Sequence, residues 1–114
     1  MSENGCVFCK VAGGEEESEI VHDEEGMMAF HSIGGQAPVH VLVIPKEHIF
    51  SLQEIDKFPD GVAKRIFEVA REVAERMGIE ASGYACRINN GPDSRQEAFH
   101  LHAHVMGGRK IGMP

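Results

Sequence analysis

Residues 100–108 read HLHAHVMGG, and this alternation limits how the chain can fold more than any other segment. Successive side chains of a β-strand point to opposite faces, so His100, His102 and His104 would share one face, about 6.6–6.8 Å apart along the strand. The opposite, core-facing side would carry Leu101, Ala103 and Val105. Each imidazole has hydrogen-bonding groups that need partners, so its face cannot be an ordinary apolar core.

Three histidines on one face of a strand have three explanations. They can form a hydrogen-bonded cluster without chemistry, or they can bind zinc, because two histidines at this spacing plus a third can supply its nitrogen ligands. The third explanation is nucleophilic catalysis, in which a neutral imidazole attacks phosphorus and a protonated neighbour stabilises the phosphoryl oxygens. The trio alone leaves all three open.

The remaining hydrophobic pattern predicts one long helix, one short helix and several strands. Apolar residues recur every three or four positions over 60–77, with charges on the opposite face, and a shorter helix is expected over 6–12. Apolar and β-branched runs predict strands over 19–23, 26–33, 40–45, 84–89 and 98–106. Strands before and after the long helix predict an α+β fold, with an antiparallel sheet covered on one face.

The composition of the chain excludes several classes of protein. Its 114 residues suit a single domain over 1–114. The net charge of -7 argues against a general nucleic-acid-binding protein, which needs clustered lysine and arginine. The N-terminal sequence does not resemble a signal peptide, and no run approaches the ~18 apolar residues of a membrane span. We therefore expect a cytoplasmic protein that binds neither nucleic acid nor membranes.

Two blocks of sequence together resemble a known family. QAPVHVLVIPKEHI, followed about forty residues later by NNGPDSRQEAFHLHAHVMGGR, is similar to the histidine triad family, within it to the nucleotide-binding branch of nucleoside phosphoramidate hydrolases. The resemblance implies the histidine triad fold: a sheet of about five strands with one long and one short helix, extended across a two-fold homodimer. It also implies hydrolysis of nucleoside 5′-phosphoramidates or related conjugates of a purine nucleotide such as AMP, without a catalytic cofactor.

The resemblance assigns roles to four histidines. His102 would be the nucleophile that forms a covalent nucleotidyl-histidine, and the carbonyl of His100 would fix its attacking tautomer. His104 would hold the phosphate oxygens. His40 matches a fourth histidine that supports the triad and relays protons.

The same resemblance indicates where a nucleotide would bind, and where this chain departs from the family. Ser32 replaces an aspartate that in many members accepts from the ribose hydroxyls, so sugar recognition is expected to be weakened or rearranged. Glu97 replaces a hydroxyl residue near the leaving group, where an extra carboxylate would repel phosphate. The expected nucleotide-binding residues are Val7, Phe8, Phe30, His31, Ser32, Ile33, Asn89, Arg95, Gln96 and Glu97.

A CxxC pair at the N-terminal helix supplies half of a tetrahedral zinc site. The resemblance to some bacterial members completes the ligand set as Cys6, Cys9, His48 and His100, a structural zinc that would pin the helix to the sheet. The alternative is that both cysteines are small buried hydrophobes or an adventitious redox pair. Cys86, alone in a predicted strand, is expected in the core.

Three alternatives to a phosphoramidate hydrolase stay open at this point. The same histidine could serve a dinucleoside polyphosphate hydrolase or a nucleotidyl transferase. A nucleotide-binding regulator or scaffold would bind AMP with little turnover. A catalytic zinc held by three histidines would lose its metal when His102 or His104 is changed, whereas a structural zinc would be lost through Cys6 or Cys9.

Overall fold

A computed structural model describes residues 6–96 and 98–112 of the chain. Two α-helices and five strands form the framework, together with 3-10 turns at Leu52–Lys57 and Pro92–Ser94. In chain order the elements are α1 (Val7–Ala12), β1 (Ile20–Glu24), β2 (Met27–His31), β3 (Val39–Pro45), α2 (Val62–Arg76), β4 (Tyr84–Ile88) and β5 (Ala103–Gly107). The strands pair antiparallel in the order β1-β2-β3-β5-β4, which confirms the predicted α+β class.

The two faces of the sheet have different covers. Helix α2 packs on β2, β3 and β5, because its apolar stripe, including Val69 and Val73, faces Val41 and Val43 of β3. The predicted core side chains of the histidine segment, Leu101, Ala103 and Val105, are all buried in this layer. On the other face a second cluster forms around Phe30, Leu42 and Ile44, with Phe8 of α1 packed against it. The histidines therefore lie on the face that α1 covers in part.

The strand predicted over 98–106 begins later than expected, at Ala103. Its neighbour β3 ends at Pro45, which has no N–H to donate, and the Pro45 carbonyl oxygen lies 2.7 Å from His100 Nε2. The Leu101 N–H donates instead to the Ile49 carbonyl. His100 and His102 consequently lie on a bend before the strand, and only His104 lies within it.

One edge of the sheet is formed by β4. Cys86 lies there and is exposed, so its predicted place in the core is wrong. Its β5 partner Val105 is covered by α2, but the helix does not extend over the edge strand. The two-fold pairing that would extend the sheet stays a prediction. Within the described residues, no helix is long and apolar enough to cross a membrane.

Candidate active site and metal centre

His102 is held by the backbone two residues before it. Its Nδ1 lies 2.7 Å from the His100 carbonyl oxygen, and a carbonyl oxygen can only accept, so Nδ1 carries the proton. In the neutral ring Nε2 then keeps its lone pair. Burial lowers the pKa of His102, although the hydrogen bond to His100 opposes this effect. The residue that the resemblance assigned as nucleophile is thus a neutral imidazole with one defined nucleophilic nitrogen.

His40 and His104 form a second fixed pair. The Gln36 N–H donates to His40 Nδ1 at 3.0 Å, so in the neutral ring the proton of His40 is on Nε2. His40 Nε2 lies 2.9 Å from His104 Nδ1 and donates to it. The proton of neutral His104 is therefore on Nε2, a buried atom without a partner among the described residues. This chain of hydrogen bonds leaves one N–H donor available to a ligand.

Both rings of this pair are held neutral. Burial is the main cause that lowers the pKa of His104, to about 4, with smaller effects from the charges of His102, His40 and Arg87. Burial also lowers the pKa of His40. The sequence analysis considered a protonated histidine beside the nucleophile, but the His104 ring is neutral and can act there as an N–H donor.

We expect His104 to remain neutral at about pH 6, where an exposed histidine is largely protonated. Because its folded pKa of about 4 lies below the ordinary 6.5, the unfolded chain binds the proton first as the pH falls. Acidification through this range should therefore destabilise the folded protein. Nitrogen-15 NMR titration of the imidazoles measures the pKa of His104 in the folded protein. A midpoint near the ordinary histidine pKa of about 6.5 would contradict the expectation.

The histidines open onto one cleft of about 730 Å³. Its walls come from the segment after β2, from β3 and β4, and from the loop before β5. The lining residues are Ser32, Ile33, Gly34, Gln36, His40, Arg87, Asn89, Asp93, Ser94, Arg95, His102 and His104. The cleft thus combines a lone-pair nitrogen, an N–H donor, hydroxyl groups and two arginines, a set suited to binding an anion.

A separate cluster lies behind His102. Cys6 Sγ lies 3.4 Å from His100 Nδ1, and Cys9 Sγ lies 3.2 Å from His48 Nδ1 and 3.4 Å from His100 Nδ1. The four ligand atoms of Cys6, Cys9, His48 and His100 all lie within 4.8 Å of one another. The predicted metal ligands are therefore brought together from α1, the segment after β3 and the bend before β5.

The donor set fits tetrahedral zinc. Bonds of about 2.3 Å to sulfur and about 2.05 Å to nitrogen separate such ligands by about 3.5 Å, close to the sulfur–nitrogen distances here. The Pro45 carbonyl accepts from His100 Nε2, which leaves the Nδ1 lone pair facing the two sulfur atoms. Burial lowers the pKa of His100 to about 4, so its ring is neutral, as a metal ligand must be.

Comparisons with known proteins identify the family. A family model described as the HIT domain matches residues 13–111. The purine nucleoside phosphoramidase of Escherichia coli is 34% identical over 106 residues, which cover 93% of this chain and 89% of that protein. The chain belongs to the HIT family. The 14 kDa zinc-binding protein of Zea mays is 33% identical over 116 residues, covering 100% of this chain and 90% of that one.

Solved structures confirm the histidine triad fold of this HIT protein. A HIT family hydrolase from Legionella pneumophila Philadelphia 1 has a TM-score of 0.92 at 34% identity, covering 96% of this chain and 98% of that one. A histidine triad protein from Clostridium difficile has a TM-score of 0.92 at 35% identity, covering 100% and 99%. A HIT family hydrolase, a purine nucleoside phosphoramidase and a zinc-binding protein are thus among the proteins that this chain resembles. The Cys6, Cys9, His48 and His100 cluster fits a structural zinc site.

The predicted nucleotide-binding residues of this HIT protein fall into two groups. The cleft is lined by Ser32, Ile33, Asn89 and Arg95. Phe8 lies beside His102, with 5.0 Å between the two ring centroids, and it also packs against the Phe30 ring at 5.5 Å. Val7 is half exposed, and His31 is partly buried at the end of β2. Phe8 thus borders His102 on the side of α1. His31 pairs with Val41, so its side chain leaves the sheet on the face that α2 covers, away from the cleft.

The Gln96 side chain contacts backbone groups around the loop before β5, and its contact with a nucleotide stays a prediction. Its Oε1 accepts from the Gly91 N–H at 2.7 Å, and its Nε2 donates to the carbonyls of Phe50 and Ala98. The side chain is buried and stabilises the loop before β5. It therefore positions the loop that lines the cleft. Glu97, the predicted departure near the leaving group, lies outside the described residues.

The predicted site residues leave out five that line the cleft: Gly34, Gln36, Arg87, Asp93 and Ser94. Gln36 acts through its backbone N–H, which a sequence pattern does not reveal. Arg87 did leave a signal: it interrupts the apolar run YACRIN and alternates with Asn89 on one face of β4. A charged residue inside a predicted strand could have been assigned to the histidine face.

Proposed function

We propose that this protein hydrolyses nucleoside 5′-phosphoramidates or related conjugates of a purine nucleotide, through a covalent nucleotidyl-histidine on His102. The observation that supports this function best is the 2.7 Å contact between His102 Nδ1 and the His100 carbonyl, which leaves Nε2 unprotonated beside an anion-binding cleft. The similarity to the E. coli purine nucleoside phosphoramidase supports the substrate class.

In the first step, His102 Nε2 attacks the α-phosphorus of the nucleotide. An N–P bond forms to the imidazole, the bond from phosphorus to the leaving nitrogen breaks, and the departing amine takes up a proton from solvent. His102 then carries phosphorus on Nε2 and hydrogen on Nδ1, so its ring becomes cationic. The negative end of the His100 carbonyl dipole stabilises this charge where it develops.

His104 acts on the phosphoryl oxygens. Its free Nε2–H donates to a non-bridging oxygen, whose negative charge increases as the nucleophile attacks. His40 holds the His104 ring in this orientation, because its own Nδ1 is fixed by the Gln36 N–H. Asn89 also lines the cleft, and its side-chain amide offers a further donor there.

In the second step, water attacks the phosphorus of the nucleotidyl-histidine. The bond to Nε2 breaks, the nucleoside monophosphate leaves, and a proton from water passes to solvent. Nε2 recovers its lone pair, while Nδ1 has kept its proton throughout. The proposed steps use no metal, and a zinc held by Cys6, Cys9, His48 and His100 would leave His102 and His104 free to act on the nucleotide. A bound zinc would fix the positions of α1 and His100.

Comparison of two substrates tests the proposed reaction. We expect kcat/KM for adenosine 5′-phosphoramidate to exceed that for a diadenosine polyphosphate by at least about tenfold, or about 1.4 kcal/mol of transition-state discrimination. Steady-state assays of AMP release from both substrates measure it. The opposite preference would favour the polyphosphate hydrolase. Binding of AMP without turnover of either substrate would favour the regulatory protein.

A further inference from the structure

Arg87 lies on the histidine face of the sheet, next to His104. The two residues are partners in the β4–β5 register, so their side chains leave the sheet on the same side. Both line the cleft that also contains His40 and His102. A guanidinium group therefore lies beside the N–H donor of the proposed phosphate site.

The Arg87 side chain lacks partners within the described part of the chain. Its Nε is buried and makes no hydrogen bond there, and no carboxylate of the described residues forms an ion pair with it. Burial of an unsatisfied charged donor is costly, so such a group is expected to have a ligand in the working protein. The missing partner of Arg87 Nε must be a hydrogen-bond acceptor, and an anionic acceptor would also offset the positive charge of the guanidinium group.

Arg87 shares the cleft with two histidines whose rings are neutral. Burial is the main cause that lowers the pKa of both His40 and His104, and the charge of Arg87, which lines the same cleft, lowers both further. With both rings neutral, neither supplies positive charge to an anion. Arg95 also lines the cleft, but it is exposed, and Asp93 beside it carries the opposite charge. Arg87 is thus the half-buried cation of the cleft.

We propose that Arg87 binds a non-bridging oxygen of the scissile phosphoryl group, beside the oxygen bound by His104. This proposal rests on the proposed function, because the nucleotide supplies the phosphoryl group. Guanidinium donates along fixed directions and forms strong hydrogen bonds to phosphate oxygens. It supplies the positive charge that the neutral imidazoles do not, and it stabilises the added negative charge when His102 attacks phosphorus.

The contribution of Arg87 should depend on the phosphate of the ligand. Arg87→Met keeps much of the aliphatic stem and removes the charge. We expect it to weaken AMP binding by about 10- to 100-fold and adenosine binding by less than about twofold. Arg87→Lys should lose less affinity for AMP, because it keeps the charge but not Nε. Arg71→Met removes the same charge from an exposed position on α2 and should change neither affinity.

Isothermal titration calorimetry with AMP, adenosine and inorganic phosphate measures these affinities, and thermal melting verifies that each variant is folded. Equal AMP affinity in Arg87→Met and wild type would overturn the proposal. An equal loss for adenosine and AMP would also overturn it, because Arg87 would then act on the fold of the site. Arg87→Gln, which also removes the charge, provides the same comparison if the methionine variant does not fold.

The two proposals fail in different ways. If the wild type binds AMP or inorganic phosphate through Arg87 but does not hydrolyse adenosine 5′-phosphoramidate, the proposed function fails and the role of Arg87 stands. If the wild type hydrolyses the phosphoramidate and Arg87→Met has unchanged kcat/KM and AMP affinity, the role of Arg87 fails and the proposed function stands.

Discussion

Replacement of His102 by alanine is expected to lower kcat/KM for adenosine 5′-phosphoramidate by a factor on the order of 10⁴ or more, as for the loss of other enzymatic nucleophiles. The proposed reaction divides into two steps only because Nε2 forms a bond to phosphorus, and no other described residue of the cleft offers an unprotonated nitrogen in this position. The ring is nearly buried and contacts Phe8, so His102→Asn is a second variant that leaves a smaller cavity.

Rapid quench followed by mass spectrometry separates the chemistry from binding. Wild-type protein mixed with excess substrate should carry one nucleotidyl group on the peptide that contains His102, and both His102 variants should carry none. His104→Ala should react more slowly but still form the adduct, because it removes a donor and keeps the nucleophile. His22→Gln removes an imidazole of β1 that contacts Glu24 outside the cleft, and should react like wild type.

Three outcomes would contradict this mechanism. The first is an adduct on a different residue, and the second is turnover by His102→Ala within about tenfold of wild type. The third is loss of bound metal from the His102 variants, which would indicate a zinc held by the histidine triad. We expect these variants to keep their metal, because the clustered ligand atoms belong to Cys6, Cys9, His48 and His100 and not to His102.

The sequence predicted those features that depend on periodicity over many residues. The apolar stripe of α2 and the alternation of Leu101, Ala103 and Val105 each place several side chains in one core, so the errors at single positions average out. The set of metal ligands and the family were predicted instead from the resemblance to the histidine triad family. Spacing alone could not have selected His48 among seven histidines.

The sequence could not predict features that depend on one neighbour across the sheet. The strand that contains His104 starts at Ala103, since Pro45 on the facing strand has no N–H to donate and the Leu101 N–H donates to Ile49 instead. This register is not visible in either segment alone. The tautomers of His40 and His104 depend on the backbone N–H of Gln36. Cys86 is exposed because α2 is too narrow to cover the edge strand.

Loss of zinc is expected to have the second largest effect. Cys9→Ala should abolish binding of one metal equivalent and lower the thermal midpoint by roughly 10 °C or more, since structural zinc contributes several kcal/mol and ~1 kcal/mol shifts the midpoint by about 4 °C in a domain of this size. The apo protein should still fold, because the core under α2 contains none of the four ligands. Cys86→Ala is the matched control, an exposed cysteine distant from the cluster.

The metal site and the nucleophile share His100. Its ring is a ligand, while its carbonyl accepts from His102 Nδ1, so movement of the ring after metal loss also moves the acceptor. Between the two cysteine ligands lies Phe8, whose ring contacts His102. Helix α1 has only six residues and cannot hold this position by its own hydrogen bonds. We therefore expect Cys9→Ala to lower kcat as well as stability, although it contacts no substrate.

Elemental analysis, thermal melting and NMR of the His102 imidazole distinguish this arrangement from the alternatives. Zinc-free Cys9→Ala should show His102 with a mixture of tautomers, whereas zinc-bound wild type and Cys86→Ala should show only the form protonated on Nδ1. If wild-type protein purified with zinc contains none, or Cys9→Ala retains a full equivalent, the cluster is not the metal centre. If zinc is lost while the tautomer and kcat are unchanged, the metal stabilises α1 but not the nucleophile, and the connection through His100 is wrong.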